Sequence, residues 1–191
     1  MTNDRQTRDD LSYVRSVVTR ADGVSNPASI YFLWAAISFF GYAIIDFEPQ
    51  KTGFYWMVAG PLGGVLSGIL GARAARREGQ ISSGDGRVEM LHWTGLMLAV
   101  LLLVPLAATG RIATAELPRI ILLLVALAYW SAGLREDRRM LPVAIVMAGL
   151  YLLTVFAGDL PYLWTITAAG LAASLAVAGA LAAARARRAP R

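Results

Sequence analysis

The chain has 191 residues, 57% of them hydrophobic, with no cysteine, a single histidine and a formal charge of +5. That apolar share exceeds the roughly 45 to 50% of soluble domains, which makes a membrane protein the first candidate. The missing cysteines exclude disulfides, thiolate catalysis and cysteine-ligated metals.

Residues 1–27 are polar and form the first expected unit, a cytoplasmic segment. Within Thr7 to Asp22, Leu11, Val14, Val17, Val18 and Ala21 recur at helical spacing, which predicts an amphipathic helix. Thr7 and Asp10 fit a capping box, and Gly23 with Asn26-Pro27 ends the helix. Such a helix lies on the membrane surface or docks a cytoplasmic protein partner. No cleavable signal peptide is expected, because the first apolar run begins too late.

Six apolar blocks follow: Ala28 to Phe47, Gly53 to Ala72, Leu91 to Thr109, Leu117 to Leu134, Met140 to Gly158 and Leu160 to Ala182. A helix rising ~1.5 Å per residue needs about 20 residues to cross ~30 Å of hydrocarbon. The sequence therefore predicts an all-α polytopic membrane domain over 28–184, six spans arranged as three hairpins. Residues 185–191 form a basic tail. Arg119 lies two residues inside the fourth block, close enough to its end to snorkel to the headgroups.

Fifteen of the eighteen Lys and Arg residues fall on alternate segments, before span one, between two and three, between four and five, and after six. Only Lys51, Arg111 and Arg119 lie on the other side. The positive-inside bias then places both termini in the cytoplasm, and the expected location is the inner membrane of a bacterium. Arg73, Arg76 and Arg77 after span two, and Arg185, Arg187 and Arg188 after span six, are tethered at helix ends with no aromatic residue among them. They read as membrane stops attracting anionic lipid headgroups, and not as a nucleic-acid surface.

Span two carries Gly60, Gly64, Gly68 and Ala72 at spacings of four, with Ser67 and Gly71 on the adjacent row and Pro61 set to kink the helix. Small residues at this spacing let two helices approach closely, either inside the bundle or in a homo-oligomer. Span six has an alanine version in Ala168, Ala172, Ala176, Ala180 and Ala184. Trp56, Trp164, Trp93 and Trp130 sit near block ends as an interfacial belt, while Trp34 lies deeper and is expected to face other helices. Glu116-Leu117-Pro118 and Asp159-Leu160-Pro161 open spans four and six alike, with an acid at the positive end of each helix and a first-turn proline.

Chemistry finds few candidates. Ser67 and His92 occupy matching depths, an arrangement that resembles intramembrane serine proteases. The context Gly64-Val65-Leu66-Ser67-Gly68 nevertheless departs from that family's Gly-x-Ser-Gly, and no second polar group orients the histidine. One histidine and no acidic ligand cluster leave no cofactor or metal to expect. Carboxylates stay at the outer edges of the spans, as Asp46, Glu116 and Asp159, which argues against ion-coupled transport.

The expected function is that of a non-enzymatic membrane protein acting by self-association or as the membrane subunit of a complex. The alternative is a transport or channel subunit for a neutral or apolar small molecule. In size, span number and cytoplasmic ends the chain is similar to the substrate-binding subunits of energy-coupling-factor transporters, without a shared motif. An intramembrane enzyme is the third reading.

Overall fold

The computed structural model describes residues 27–77, 83–135 and 137–188. The amphipathic helix expected over Thr7 to Asp22 lies outside the described residues. Among the described residues there are six α-helices and no strand: α1 (Ala28–Phe47), α2 (Thr52–Arg77), α3 (Ser83–Ala108), α4 (Leu117–Arg135), α5 (Met140–Phe156) and α6 (Leu163–Arg188).

Five of them, α1, α2, α3, α4 and α6, are long and apolar enough to cross a membrane, the mark of a multi-pass membrane protein. The exception is α5, whose 17 residues rise only about 25 Å. It stops at Phe156, two residues before the expected Gly158, where the amide of Ala157 closes on the carbonyl of Leu153.

Two boundaries move for identifiable reasons. The arginine clusters stop hydropathy but not helix, so α2 continues to Arg77 and α6 to Arg188. Arginine is a good helix former, and cations are favoured at the negative end of the helix dipole. The two acid-Leu-Pro motifs also differ. Leu117 and Pro118 form the first turn of α4 behind a 3-10 turn at Thr114–Glu116, whereas Leu160 and Pro161 stay outside α6, which starts only at Leu163. Tyr162, immediately before it, has a φ of 55°.

The C-terminal ends of α1, α3 and α5 close on the backbone. At the end of α3 the amide of Arg111 reaches the carbonyl of Leu106 and that of Gly110 the carbonyl of Ala107. This is the Schellman pattern, and it requires the positive φ that Gly110 adopts at 69°.

Packing runs in the order α2, α1, α6, α5, α4, α3, with the closest association between α1 and α6. The core lies among the inner four helices. Tyr31, Ala35, Ser38 and Tyr42 of α1 are buried, as are Ala168, Leu171, Leu175, Ala178 and Ala182 of α6. Both sets step by alternating threes and fours, averaging ~3.5 residues, the spacing that keeps one seam facing a neighbour over several turns. Gly179 sits where a Cβ would press to 3.0 Å from Tyr31 Cβ and 3.3 Å from the carbonyl of Ala28.

The alanine row of α6 is corrected by this seam. Ala168 is in the core, but Ala180 and Ala184 are exposed. Residues are ~100° apart on a helix, so a step of four overshoots one turn by ~40°. Four such steps carry the row most of the way to the opposite face.

Candidate functional site

The small-residue helix α2 lies antiparallel on α1. Trp56 faces Gly41, Gly63 faces Ile37 and Trp34, and Gly71 faces Ile30. A Cβ at Gly41 would run into the Trp56 ring, and one at Gly63 would stand 2.7 Å from Ile37 Cδ1. Two polar bonds fix this pairing. The Trp34 indole donates to Ser67 Oγ at 2.9 Å, and the Tyr55 hydroxyl donates to the carbonyl of Ile37 at 2.8 Å. The depth of Trp34 in its helix therefore does place it against another helix.

The seam that packs inside the chain is thus Gly63, Ser67 and Gly71, and not the row at spacings of four. Gly64, Gly68 and Ala72 are exposed. A Cβ built on Gly60, Gly64 or Gly68 meets nothing within 4 Å, although the backbone of Gly60 itself is buried. Around this row Val58, Leu62, Val65 and Ile69 are exposed as well. The helix runs unbroken through Pro61.

At the other flank, α3 packs mainly on α4 and none of its apolar window is buried. Its contact is aromatic and polar. Trp93 stands edge-on to Tyr129 at 5.4 Å, and His92 Nε2 donates to the carbonyl of Ala128 at 3.1 Å. Ser67 and His92, matched in depth, are therefore held on helices that do not pack together, each engaged with a different neighbour. The pair is not assembled.

The ends of the bundle differ in chemistry. Arg73, Arg76, Arg185 and Arg187 are exposed in the last turns of α2 and α6, whose final residues are Arg77 and Arg188. At the opposite end Tyr42 is wedged between two indoles, stacked on Trp164 at 6.0 Å and edge-on to Trp56 at 5.7 Å. Arg119 is held by this end and does not extend freely. It donates to the carbonyl of Thr154 at 3.1 Å and to Glu116 at 2.6 Å, and lies over the Trp164 ring.

No protein-family model, no curated protein and no solved structure matches the chain.

Two carboxylates have structural roles that the sequence pattern did not show. Asp46 ends α1, yet its carboxylate accepts from the amides of Trp164 and Thr165 and from the Thr165 hydroxyl. It caps α6 from 119 residues away, meeting donors that a helix N-terminus leaves free. Asp137, inside the run REDRR, looks like a solvated loop residue but is buried at 6% exposure. Sequence offered no signal for either, because the partners of both include residues distant in the chain.

Proposed function

We propose that the chain is a six-span membrane protein with both termini in the cytoplasm, working by association with a second copy through the outward face of α2. The sixth span is α5, which is packed between α4 and α6, two helices long enough to cross. Seventeen residues lie at the lower end of what spans a bilayer with modest local thinning. The fifteen basic residues on alternate segments support the orientation.

The observation that carries the association is the open space in front of Gly60, Gly64 and Gly68. Each glycine inside a helix costs about 1 kcal/mol relative to alanine. Lipid gives nothing back for it, since acyl chains pack against any apolar side chain. A second helix does, because small residues let two backbones approach closely enough for dispersion contacts. In a lone chain the row is a cost without a return; in a dimer it is the contact.

The absence of cysteine makes the test clean. Single-cysteine variants at Gly64 and Gly68 are expected to form disulfide-linked dimers in membranes under mild oxidation, while Leu152→Cys on the exposed side of α5 does not. A monomer at all three positions, together with a single-copy mass in native mass spectrometry, would overturn self-association. Cross-linking of Gly64→Cys to a different protein would replace the second copy with a heterologous partner.

A further inference from the structure

A second site lies away from α2, at the turn between α4 and α5. Asp137 there is enclosed by three donors. Its Oδ1 accepts from Arg139 Nε at 2.8 Å and from the Arg139 amide at 3.1 Å, and its Oδ2 accepts from the Tyr31 hydroxyl at 2.9 Å. The arrangement fixes the Arg139 side chain at 10% exposure. Its Nη1 is fully buried and has no hydrogen-bond partner among the described residues. A buried guanidinium edge without an acceptor is rare in folded proteins, because the desolvation of a charged donor goes uncompensated.

Arg139 also forms the polar end of a groove between α5 and α6, about 370 Å³ in volume. Pro142, Val143 and Val146 make one wall, and Ala173, Val177 and Leu181 belong to the other. Ser174 adds little polarity, because its hydroxyl already donates to the carbonyl of Leu171. The wall from Gly170 to Leu181 extends about 16 Å at ~1.5 Å per residue. That is about half the ~30 Å hydrocarbon thickness, the depth of one leaflet.

We infer that this groove is a binding site for one anionic phospholipid, its phosphate on Arg139 Nη1 and one acyl chain lying between α5 and α6. The two ends of the site match the two ends of that molecule. A phosphate oxygen supplies the acceptor that Nη1 lacks once the guanidinium turns that buried edge toward the groove, in a charge-assisted bond stronger than a neutral one. A single hydrocarbon chain fills an apolar trough one leaflet deep. The end where Arg139 sits also carries Arg135, Arg138, Arg185 and Arg187, which draw anionic lipid toward it. Asp137 positions the guanidinium and takes no part in binding the lipid.

The test is native mass spectrometry of the full chain in mild detergent, with phosphatidylglycerol or phosphatidylcholine of identical acyl chains added in turn. One phosphatidylglycerol retained per chain is expected, preferred over phosphatidylcholine by about tenfold or more. Retention is expected to fall by a similar factor in Arg139→Gln and in Ala173→Leu, and to persist in Arg138→Gln, which removes an exposed charge from the same turn. Ala173→Leu leaves the Asp137–Arg139 pair intact and narrows the groove, so it stays decisive where Arg139→Gln fails to fold. Equal loss in Arg138→Gln would reduce the effect to surface charge and overturn the site. Undiminished binding in Ala173→Leu would overturn the acyl position. Displacement of the lipid by millimolar inorganic phosphate or by oleate would assign the arginine to a free anion or a fatty acid instead.

Discussion

The carboxylate of Asp46 accepts both the amide and the hydroxyl of Thr165, at 2.6 and 2.7 Å, across 119 positions of sequence. The last turn of α1 is thereby bonded to the first turn of α6, and the two most closely packed helices are locked at one end. At the other end of α1 the Tyr31 hydroxyl donates to Asp137, in the turn between α4 and α5. Polar bonds therefore hold α1 at both ends, to α6 at one and to the α4–α5 turn at the other, and the α1–α6 seam of small and aromatic residues lies between them.

Asp46→Ala is expected to lower stability by about 1 to 2 kcal/mol, the range for a lost N-cap. Asp46→Asn keeps an acceptor and should lose less. Thermal unfolding in detergent reads both, and a double-mutant cycle with Thr165→Val should show coupling near the ~0.6 kcal/mol typical of interhelical bonds in membrane proteins. Strict additivity would mean that the two residues do not act together.

Gly63 and Gly64 are neighbours with opposite expectations. Gly63→Leu drives a side chain into Ile37 and Trp34, and overpacking of this kind costs about 1 to 3 kcal/mol. Gly64→Leu meets open space, so its melting temperature should stay at or above wild type while disulfide cross-linking at Gly68→Cys is lost. A fall in stability at Gly64 and none at Gly63 would reverse the assignment of the two faces.

Gly133→Ala is expected to destabilise more than any other glycine-to-alanine change on α4 through α6. A Cβ there would stand 2.9 Å from the backbone nitrogen of Leu141, and backbone cannot move aside as the Leu150 side chain can for Gly170→Ala. Comparing the two melting temperatures checks this directly.

Tyr31→Phe removes the donor to Asp137 Oδ2 and leaves a buried carboxylate oxygen without a partner. A loss of about 1.5 to 3 kcal/mol is expected for a hydrogen bond to a charged group. Adding Asp137→Asn to Tyr31→Phe should cost less than the sum of the two single changes, since the charge that required the bond is gone. Full additivity in a chemical or thermal melt would count against the bond.

The helices were legible where the signal is one-dimensional. The run from Ala28 to Ile45 carries no charge and is ended by Asp46, Glu48 and Pro49, and α1 covers Ala28–Phe47. The faces were not legible. In a soluble helix the polar stripe marks the side that is not buried, but α2 and α6 are apolar all round. Spacing by four was the only cue left, and its ~40° drift per step pointed to Gly64 and Ala180. The packed seams follow Gly63, Ser67 and Gly71 in one helix and Leu171, Leu175 and Ala178 in the other.

Sequence alone determined five segments long and apolar enough for a membrane, with the sixth, Met140 to Gly158, falling short as α5, and where the arginine clusters lie, because hydropathy and charge depend on residue identity along a line. Only the tertiary structure decided that Asp46 caps α6, that Asp137 is buried under Tyr31 and Arg139, that Ser67 and His92 stand apart, and that Gly64 looks outward. Each of those depends on which helix lies beside which. That choice is made by close packing and polar pairing between distant residues, and a uniformly apolar helix carries no mark of it.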